Sequence, residues 1–191
     1  MQLPGRGGLP SVGQVTPELR TERLVLSPYV PTDEADFVAL FQDSASGQWF
    51  WEGPERRPVA EDHALFGRIF SLIYAEDRFP VWAVRHEGRY IGHAEIKPSP
   101  EPWLKGHEIV YGLTARSWGH GFGTELAAAL TAYGHEELGL TEVHATVNAE
   151  NARSLKVLKK IGFVHTKDVR EDDGSTTQLL THRRGSDTVG E

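Results

Sequence analysis

Residues 118–124 are Trp118-Gly119-His120-Gly121-Phe122-Gly123-Thr124, and this stretch decides the fold that the sequence predicts. Its alternating glycines lie between a predicted strand at 107–113 and a predicted helix at about 124–138. Glycine tolerates positive φ angles and lets the backbone approach a ligand without an intervening Cβ. The unpaired N–H groups at a helix start, together with the helix dipole, accept a phosphate group. The stretch therefore indicates a phosphate site, with an ordinary tight turn as an equally simple alternative.

The glycine turn matches neither of the two common nucleotide motifs. A G-x-G-x-x-G dinucleotide fingerprint needs a third glycine where Thr124 stands. A nucleotide-hydrolysing P-loop needs a Lys-Ser or Lys-Thr pair, and residues 118–124 contain no lysine. Coenzyme A, whose diphosphate can be held by backbone amides, fits the turn better.

The elements on either side of the turn follow from hydrophobic periodicity and turn residues. Strands are predicted at 21–26, 81–84, 90–96, 107–113, 142–148, 163–169 and 176–182, and helices from about 31–34, at 59–75, at 124–138 and at 152–160. The stripe expected to be buried on the second helix is Ala64, Leu65, Ile69, Leu72 and Ile73. This order predicts an α+β or mixed α/β domain around one sheet. We expect the domain to span 18–184, between flexible tails at 1–17 and 185–191.

Composition narrows the class of protein. The 191 residues suit one domain, and no apolar run approaches the eighteen residues of a membrane-spanning helix. Cysteine is absent, which excludes disulfide scaffolds, thiolate metal sites and a cysteine nucleophile. The nine histidines have no His-x-x-x-His spacing, and the net charge of −7 comes without a basic face. We therefore expect a cytoplasmic protein that uses no metal and binds neither nucleic acid nor membrane.

Motifs along the chain resemble one family. Residues 148–154, Asn-Ala-Glu-Asn-Ala-Arg-Ser, followed by Gly162-Phe163, are similar to the Asn-x-x-Asn-x-x-Ser…Gly-Phe ending of the GNAT superfamily of acetyltransferases. The narrower similarity is to the branch of the ribosomal-protein N-terminal acetyltransferases RimJ and RimL, and it spans about residues 21–183. Gly121 and Gly123 occupy the glycine slots of the family's phosphate motif. Trp118 stands where that motif has Gln or Arg, so Arg116 is expected to supply the missing positive charge.

The resemblance implies a single, mostly antiparallel GNAT-like sheet, flanked by helices and splayed between its fourth and fifth strands. Acetyl-coenzyme A would lie in the resulting V. The coenzyme-binding residues are then Leu113, Arg116, Trp118, Gly119, His120, Gly121, Phe122, Gly123, Thr124, Asn148 and Asn151. Of these, Leu113 is expected to offer a backbone amide to the oxyanion. Asn151 is equally explained as a helix cap.

The catalytic residues implied by the resemblance are Glu108 as general base and Ser154 as the group that neutralises the leaving thiolate. An amine is mostly protonated at neutral pH and must lose a proton before it attacks, so a base is needed. Glu108 could instead be a solvent-facing or ion-paired strand residue, with His107 or the acidic turn 171–173 as the base. Ser154 could be an ordinary first-turn helix residue.

The acceptor expected from the family is a primary amine, either a protein N-terminus or a small molecule, and the protein is expected to be a monomer or a homodimer. The aromatic loop Trp49-Phe50-Trp51 could line the acceptor pocket or belong to the core. Two other functions stay open at this point: a non-catalytic acyl-coenzyme A-binding module on the same fold, and a nucleotide-binding protein that uses the glycine turn.

Overall fold

The computed structural model describes residues 16–50 and 55–185. Its strands are β1 Leu19–Arg20, β2 Leu24–Ser27, β3 Val81–His86, β4 Arg89–Pro98, β5 His107–Leu113, β6 Glu142–Asn148, β7 Val164–Arg170 and β8 Thr176–Arg183. Its α-helices are α1 Glu34–Gln42, α2 Val59–Arg68, α3 Phe122–Glu136 and α4 Ala152–Lys160. Most of the predicted N-terminal tail, and the tail from residue 186, lie outside the described residues. No helix in 16–50 or 55–185 is long and apolar enough to cross a membrane.

The eight strands form one sheet in the order β1-β2-β3-β4-β5-β6-β8-β7. Every neighbouring pair is antiparallel except β5 and β6, which are parallel and share a single register position, Glu108 opposite His144. Beyond that position the two strands diverge, so their carboxyl ends enclose a gap. The predicted fold class is therefore confirmed. The predicted split between the fourth and fifth strands is the β5–β6 gap, because the short β1 adds one strand to the count.

Each face of the sheet carries its own core. On one face, α3 and α4 cover an aliphatic core that includes Ile109 and Leu113 of β5. On the other face, α1 and α2 cover an aromatic core that includes Phe37 and Phe66. Side chains alternate between the two faces along a strand, so Glu108, Val110 and Gly112 face the second layer. The gap between β5 and β6 therefore opens toward both helical layers.

The second helix differs from its prediction. The expected helix over 59–75 is α2 followed by a π-helix, Ile69–Tyr74. Ala64 is exposed, whereas Phe66 is 4% exposed and Ile69 is 3% exposed. The buried residues of this segment are Asp62, Phe66 and Ile69, four and three positions apart, and Ala64 lies off that face. The Tyr74 hydroxyl, at the end of the π-helix, donates to the Val81 carbonyl at 2.7 Å and accepts from the Tyr29 N–H at 2.9 Å.

Two residues assigned to the N-terminal tail contact β3. Thr16 is 3% exposed, and its hydroxyl accepts a hydrogen bond of 3.2 Å from the N–H of Val81. The Pro17 carbonyl accepts one of 2.6 Å from the indole of Trp82. Because these bonds satisfy buried polar groups of β3, the packed part of the domain includes Thr16 and Pro17.

His93 makes the stability of this fold depend on pH. Its Nδ1 is 2.9 Å from the Tyr29 hydroxyl, and burial in the aromatic core lowers the pKa of His93 to about 4. Glu95 acts to raise this pKa and Lys97 to lower it, both less than burial. An unfolded histidine has a pKa of about 6.5, so between about pH 6.5 and 4 the unfolded chain binds a proton that the folded chain excludes. The contribution of His93 is present above that window and is lost as the pH falls through it.

We expect the free energy of unfolding to fall by an amount on the order of 3 kcal/mol between pH 6.5 and 4 because of this residue alone. Denaturant titrations at half-unit pH steps should show a smaller slope for His93→Gln than for the wild type. His165→Gln is the matched control, because His165 is 42% exposed beside Asp168. Equal slopes in His93→Gln and the wild type would contradict the assignment.

Candidate functional site

A cleft occupies the gap between β5 and β6 and has a volume of about 830 Å³. Its walls are the carboxyl halves of β5 and β6, the glycine turn with the start of α3, one side of α4 and the 3-10 turn Gly47–Phe50. The cleft therefore collects residues from five structural elements. The turn that the sequence singles out forms one of its walls.

The glycine turn adopts the backbone conformation that only glycine takes without strain. Gly119 has φ +81° and Gly121 has φ +83°. Within the described residues, the N–H groups of residues 119–123 have no hydrogen-bond partner, and the first bonded amides are those of Thr124 and Glu125, both to the Gly121 carbonyl. Gly123 lies where α3 approaches α4, with the Val157 side chain 3.6 Å from the position of an added Cβ. The turn thus presents unpaired N–H groups at a helix N-terminus, which is an anion-binding arrangement.

Arg23 and Glu125 brace this turn from outside. The Arg23 guanidinium bonds the Glu125 carboxylate at 2.8 and 2.7 Å, and it also donates to the His120 carbonyl at 2.8 Å. Thr21 donates to the same carboxylate. Burial acts to raise the pKa of Glu125, but the bonds from Thr21 and Arg23 outweigh it and lower that pKa. Because Arg23 bonds the His120 carbonyl, it restrains the orientation of the peptide unit between His120 and Gly121.

The predicted coenzyme-binding residues separate into two groups. Those that line the cleft are Leu113, Trp118, Gly119, Gly121, Phe122, Gly123, Thr124, Asn148 and Asn151. Arg116 and His120 do not line it. The Arg116 guanidinium points back toward the Tyr90 carbonyl, 3.4 Å away, because the 3-10 turn Ala115–Ser117 directs it to β4. The His120 ring stacks on Phe122 with centroids 5.7 Å apart.

The two asparagines also have local structural contacts. Asn151 is the N-cap of α4, and its side-chain oxygen accepts from the Ser154 N–H at 3.2 Å. The Asn148 side chain accepts from the Glu150 N–H at 2.9 Å. Both residues line the cleft while they shape the β6–α4 connection.

Glu108 lies at the closed end of the cleft, at the one register position that β5 shares with β6. It is 3% exposed and forms no ion pair with any residue in the described ranges. Its Oε2 accepts hydrogen bonds from the Thr146 hydroxyl at 3.0 Å and from the Ser99 hydroxyl at 3.4 Å. Burial raises the pKa of Glu108, against smaller lowering effects of Thr146 and Lys97. Thr146 lines the cleft and Glu108 does not, so the carboxylate reaches the cleft through that hydroxyl.

The alternative bases are not in the cleft. His107 lines a different cavity, of about 230 Å³, beside Tyr133, and burial lowers its pKa. The acidic turn 171–173 connects β7 to β8 and does not line the cleft either. Of the candidate bases, Glu108 alone contacts a cleft-lining residue among those that the structure describes.

Two hydroxyl-bearing residues, Tyr111 of β5 and Ser154 of α4, line the cleft. The Tyr111 hydroxyl is buried and has no hydrogen-bond partner in the described part of the chain. Burial raises the pKa of Tyr111 to about 12, against a smaller opposing effect of the Ser154 side chain, although the two hydroxyls do not meet hydrogen-bond geometry. The phenol is therefore protonated at any physiological pH, and its buried oxygen makes no hydrogen bond within the described residues.

A family model described as an acetyltransferase (GNAT) domain matches residues 23–164. The chain belongs to the GNAT acetyltransferase family. It is therefore an acyltransferase, and the resemblance on the residues of the glycine turn and of 148–163 is confirmed at the level of the family.

Curated relatives of the acetyltransferase include two proteins of Bacillus subtilis. The uncharacterized N-acetyltransferase YoaA is 27% identical over 149 residues, which cover 77% of this chain and 82% of YoaA. The uncharacterized protein YkkB is 31% identical over 160 residues, which cover 81% of this chain and 89% of YkkB.

Solved structures of similar fold come from several acetyltransferases. An acetyltransferase from Agrobacterium tumefaciens has a TM-score of 0.73 at 21% identity and covers 94% of this chain and 100% of its own. AAC(6′)-Ib in complex with paromomycin and acetyl-CoA has a TM-score of 0.71 at 20% identity, with 89% and 99% covered. The ribosomal-protein-S5-alanine acetyltransferase of Vibrio fischeri has a TM-score of 0.70 at 15% identity, with 88% and 97% covered. At these identities the likeness establishes the fold.

Several cleft residues of the acetyltransferase are absent from the sequence-based prediction. Tyr111 and Thr146 lie on the predicted strands β5 and β6, and strand alternation puts Tyr111 on the face of Leu113 and Thr146 on the face of Glu108. The alternation can be read from the sequence and gives the face of each side chain. Only the pairing of β5 with β6, however, brings Tyr111 and Thr146 to one cleft. Trp49 and Phe50 line the cleft, while Phe50 also packs against the aromatic core, so both possibilities that the sequence left open apply to this loop. Trp51 lies outside the described residues.

Proposed function

We propose that this acetyltransferase transfers the acetyl group of acetyl-coenzyme A to a primary amine. The observation that carries the proposal is the row of unpaired N–H groups over residues 119–123 in the wall of the β5–β6 cleft. When bound, acetyl-coenzyme A supplies an acetyl group activated as a thioester. AAC(6′)-Ib, of similar fold, binds acetyl-CoA, and YoaA is described as an N-acetyltransferase, which supports the donor and the type of acceptor atom.

The turn would anchor the diphosphate of the donor. Backbone N–H groups fixed by the Arg23 brace need no rearrangement to meet it, and the N-terminus of α3 adds partial positive charge. Tyr111 and Thr146, which also line the cleft, would then be the residues that meet the thioester end. Thr146 is the residue that connects this part of the cleft to Glu108.

Glu108 would remove the proton from the attacking amine. Its raised pKa makes the carboxylate a stronger base than an exposed glutamate, and the Thr146 hydroxyl connects it to the cleft. Since Glu108 does not itself line the cleft, the proton passes through Thr146 or a water beside it. The amine enters from the side of Ser46, Trp49 and Phe50.

The backbone of β5 would stabilise the oxyanion. The N–H of Thr114 donates to the Ile91 carbonyl of β4 at 2.8 Å. Successive residues of a strand direct their N–H groups to opposite sides, so the N–H of Leu113 is directed into the gap toward β6. The single register position between β5 and β6 lies five residues earlier, and so Leu113 has no ladder partner on that side. An unpaired N–H in a cleft is a suitable donor to developing negative charge.

The acceptor is a primary amine of a protein N-terminus or of a small molecule. The fold-level likeness to a ribosomal-protein-S5-alanine acetyltransferase supports the RimJ- and RimL-like branch and with it a protein N-terminus. The likeness to AAC(6′)-Ib, whose structure holds an aminoglycoside, supports a small molecule. We propose that the protein is a monomer or a homodimer. We also propose that it acts in the cytoplasm.

The proposal is tested by assaying release of the free coenzyme thiol from acetyl-coenzyme A with a panel of N-terminal peptides and small amines. Turnover with at least one amine supports the enzyme. Binding of coenzyme A without turnover over the whole panel would favour the non-catalytic module. A thermal shift with ATP that exceeds the shift with acetyl-coenzyme A would favour a nucleotide-binding protein.

Ser154→Ala and Tyr111→Phe are expected to separate the two candidate donors to the leaving thiolate. Each should lower kcat by about ten-fold and change the KM for acetyl-coenzyme A by less than about two-fold, because proton donation acts in the transition state. The double variant should lose more than the product of the single losses if either hydroxyl can replace the other.

Ser117→Ala is the matched control for these variants, because Ser117 also lines the cleft but its hydroxyl bonds the Thr114 hydroxyl at 2.9 Å. Steady-state kinetics should show its kcat close to that of the wild type. A loss confined to KM in Ser154→Ala and Tyr111→Phe would assign both hydroxyls to donor binding and not to proton transfer.

A further inference from the structure

Helix α4 carries four cations in a chain whose net charge is −7. They are Arg153, Lys156, Lys159 and Lys160, and none forms a salt bridge in the described ranges. By contrast, Arg23 and Arg183 each pair with a carboxylate. Cations that pair with no carboxylate, grouped on one helix of an acidic chain, are suited to an anion from outside.

Three of these four cations lie along the cleft. Arg153, Lys156 and Lys160 line it, at spacings of three and four residues that put them on one side of α4. Lys159 lies off this side and does not line the cleft. No aspartate or glutamate lines the cleft among the residues that the structure describes. One wall of the cleft is therefore positive and faces no opposing carboxylate.

This wall lies beside the glycine turn. The Arg153 guanidinium carbon is 4.1 Å from the centroid of the Trp118 ring, and Val157 reaches the start of α3 at Gly123. A ligand whose first anionic group occupies the turn therefore places a neighbouring anionic group next to α4. Arg153, Lys156 and Lys160 are exposed. Their position suits a charged ligand group that stays in contact with solvent.

We propose that Lys156 and Lys160, with Arg153, bind the 3′-phosphate of coenzyme A and make the enzyme discriminate against dephospho-coenzyme A. This rests on the proposed function. The turn meets the diphosphate with neutral N–H groups. A phosphomonoester carries a charge of about −1.5 to −2 near pH 7, so it needs full cations. The diphosphate and the 3′-phosphate belong to one nucleotide, which matches two adjacent anion sites, one on the turn and one on α4.

The test compares binding of coenzyme A and of dephospho-coenzyme A by titration calorimetry, so that it does not depend on turnover. We expect the wild type to bind coenzyme A about ten-fold or more tighter, and Lys156→Ala/Lys160→Ala to lose most of that difference. Affinity for dephospho-coenzyme A should be nearly unchanged in the double variant. The salt dependence of coenzyme A binding should also become weaker.

Lys159→Ala is the matched control, since it removes one charge from the same helix outside the cleft, and it should keep the full discrimination. Equal weakening of both ligands in the double variant would assign the lysines to the diphosphate and overturn the inference. Equal affinity of the wild type for both ligands would overturn it as well. Failure of the wild type to bind either ligand would instead refute the proposed use of coenzyme A. Melting temperatures of the variants show whether each is folded.

Discussion

Glu108→Gln is expected to lower kcat by about 10²- to 10³-fold at neutral pH and to change the KM for acetyl-coenzyme A by less than about three-fold. Glutamine keeps the size of the side chain and an oxygen for the Thr146 bond, so the loss reports the missing base. The carboxylate accepts a proton only above its pKa, which burial raises. Wild-type activity should therefore fall as the pH drops through that pKa, and Glu108→Gln should lack this acid limb.

Two further variants test the direction in which neighbouring groups shift the pKa of Glu108, as seen in pH–rate profiles of kcat/KM. Thr146→Val removes a hydrogen bond that lowers the pKa of Glu108, so the acid limb should move to higher pH. Glu95→Gln removes a negative charge that raises this pKa, so the limb should move slightly to lower pH while kcat is retained. Losses in Thr146→Val and Glu108→Gln that are the same at every pH would contradict the assignment of Glu108 as the base and indicate a structural role.

Gly121→Val is expected to raise the KM for acetyl-coenzyme A by about 10- to 100-fold with a smaller effect on kcat. A β-branched residue at φ +83° is strained, and the left-handed conformation costs an L-residue about 1–2 kcal/mol, or roughly ten-fold in binding if the strain is relieved by misplacing the turn. The added Cβ also meets the Arg23 guanidinium at 3.3 Å, which disturbs the brace on the turn.

Gly139→Val is the control for Gly121→Val. Gly139 lies beyond the other end of α3 at φ +66° and has open space around its Cβ position. It should lower the melting temperature through the same backbone strain and leave the KM for acetyl-coenzyme A unchanged. An equal rise in KM for both variants would mean that general destabilisation, and not the turn, limits donor binding.

The features that the sequence predicted well are those whose physics is local. The Glu87-Gly88 hairpin has both residues at positive φ, and the Asn151 cap accepts the Ser154 N–H three residues later. Turn and cap preferences depend on neighbours within a few residues, so a single sequence carries them. The π-helix at Ile69–Tyr74 escaped prediction because its register depends on where Tyr74 anchors to β3.

The predicted coenzyme-binding residues likewise divide into those whose conformation is local and those whose position depends on distant contacts. Glycine permits positive φ at Gly119 and Gly121, and the turn adopts it at both. Arg116 is two residues from Trp118, yet it points to β4 because a 3-10 turn intervenes. The Arg23 brace on the turn joins residues 102 apart and has no sequence signature.

Three features can be read from the order of residues alone: a glycine turn between a strand and a helix, the alternation that buries Ile109 and Leu113 together, and an acidic chain without cysteine. Tertiary packing brings Glu108 into contact with Thr146, 38 residues away, and places Lys156 and Lys160 in the wall beside the turn. Periodicity reports which face a side chain takes within its own element. The order of strands in the sheet and the packing of α4 beside α3 determine which faces meet, and those depend on contacts between distant parts of the chain.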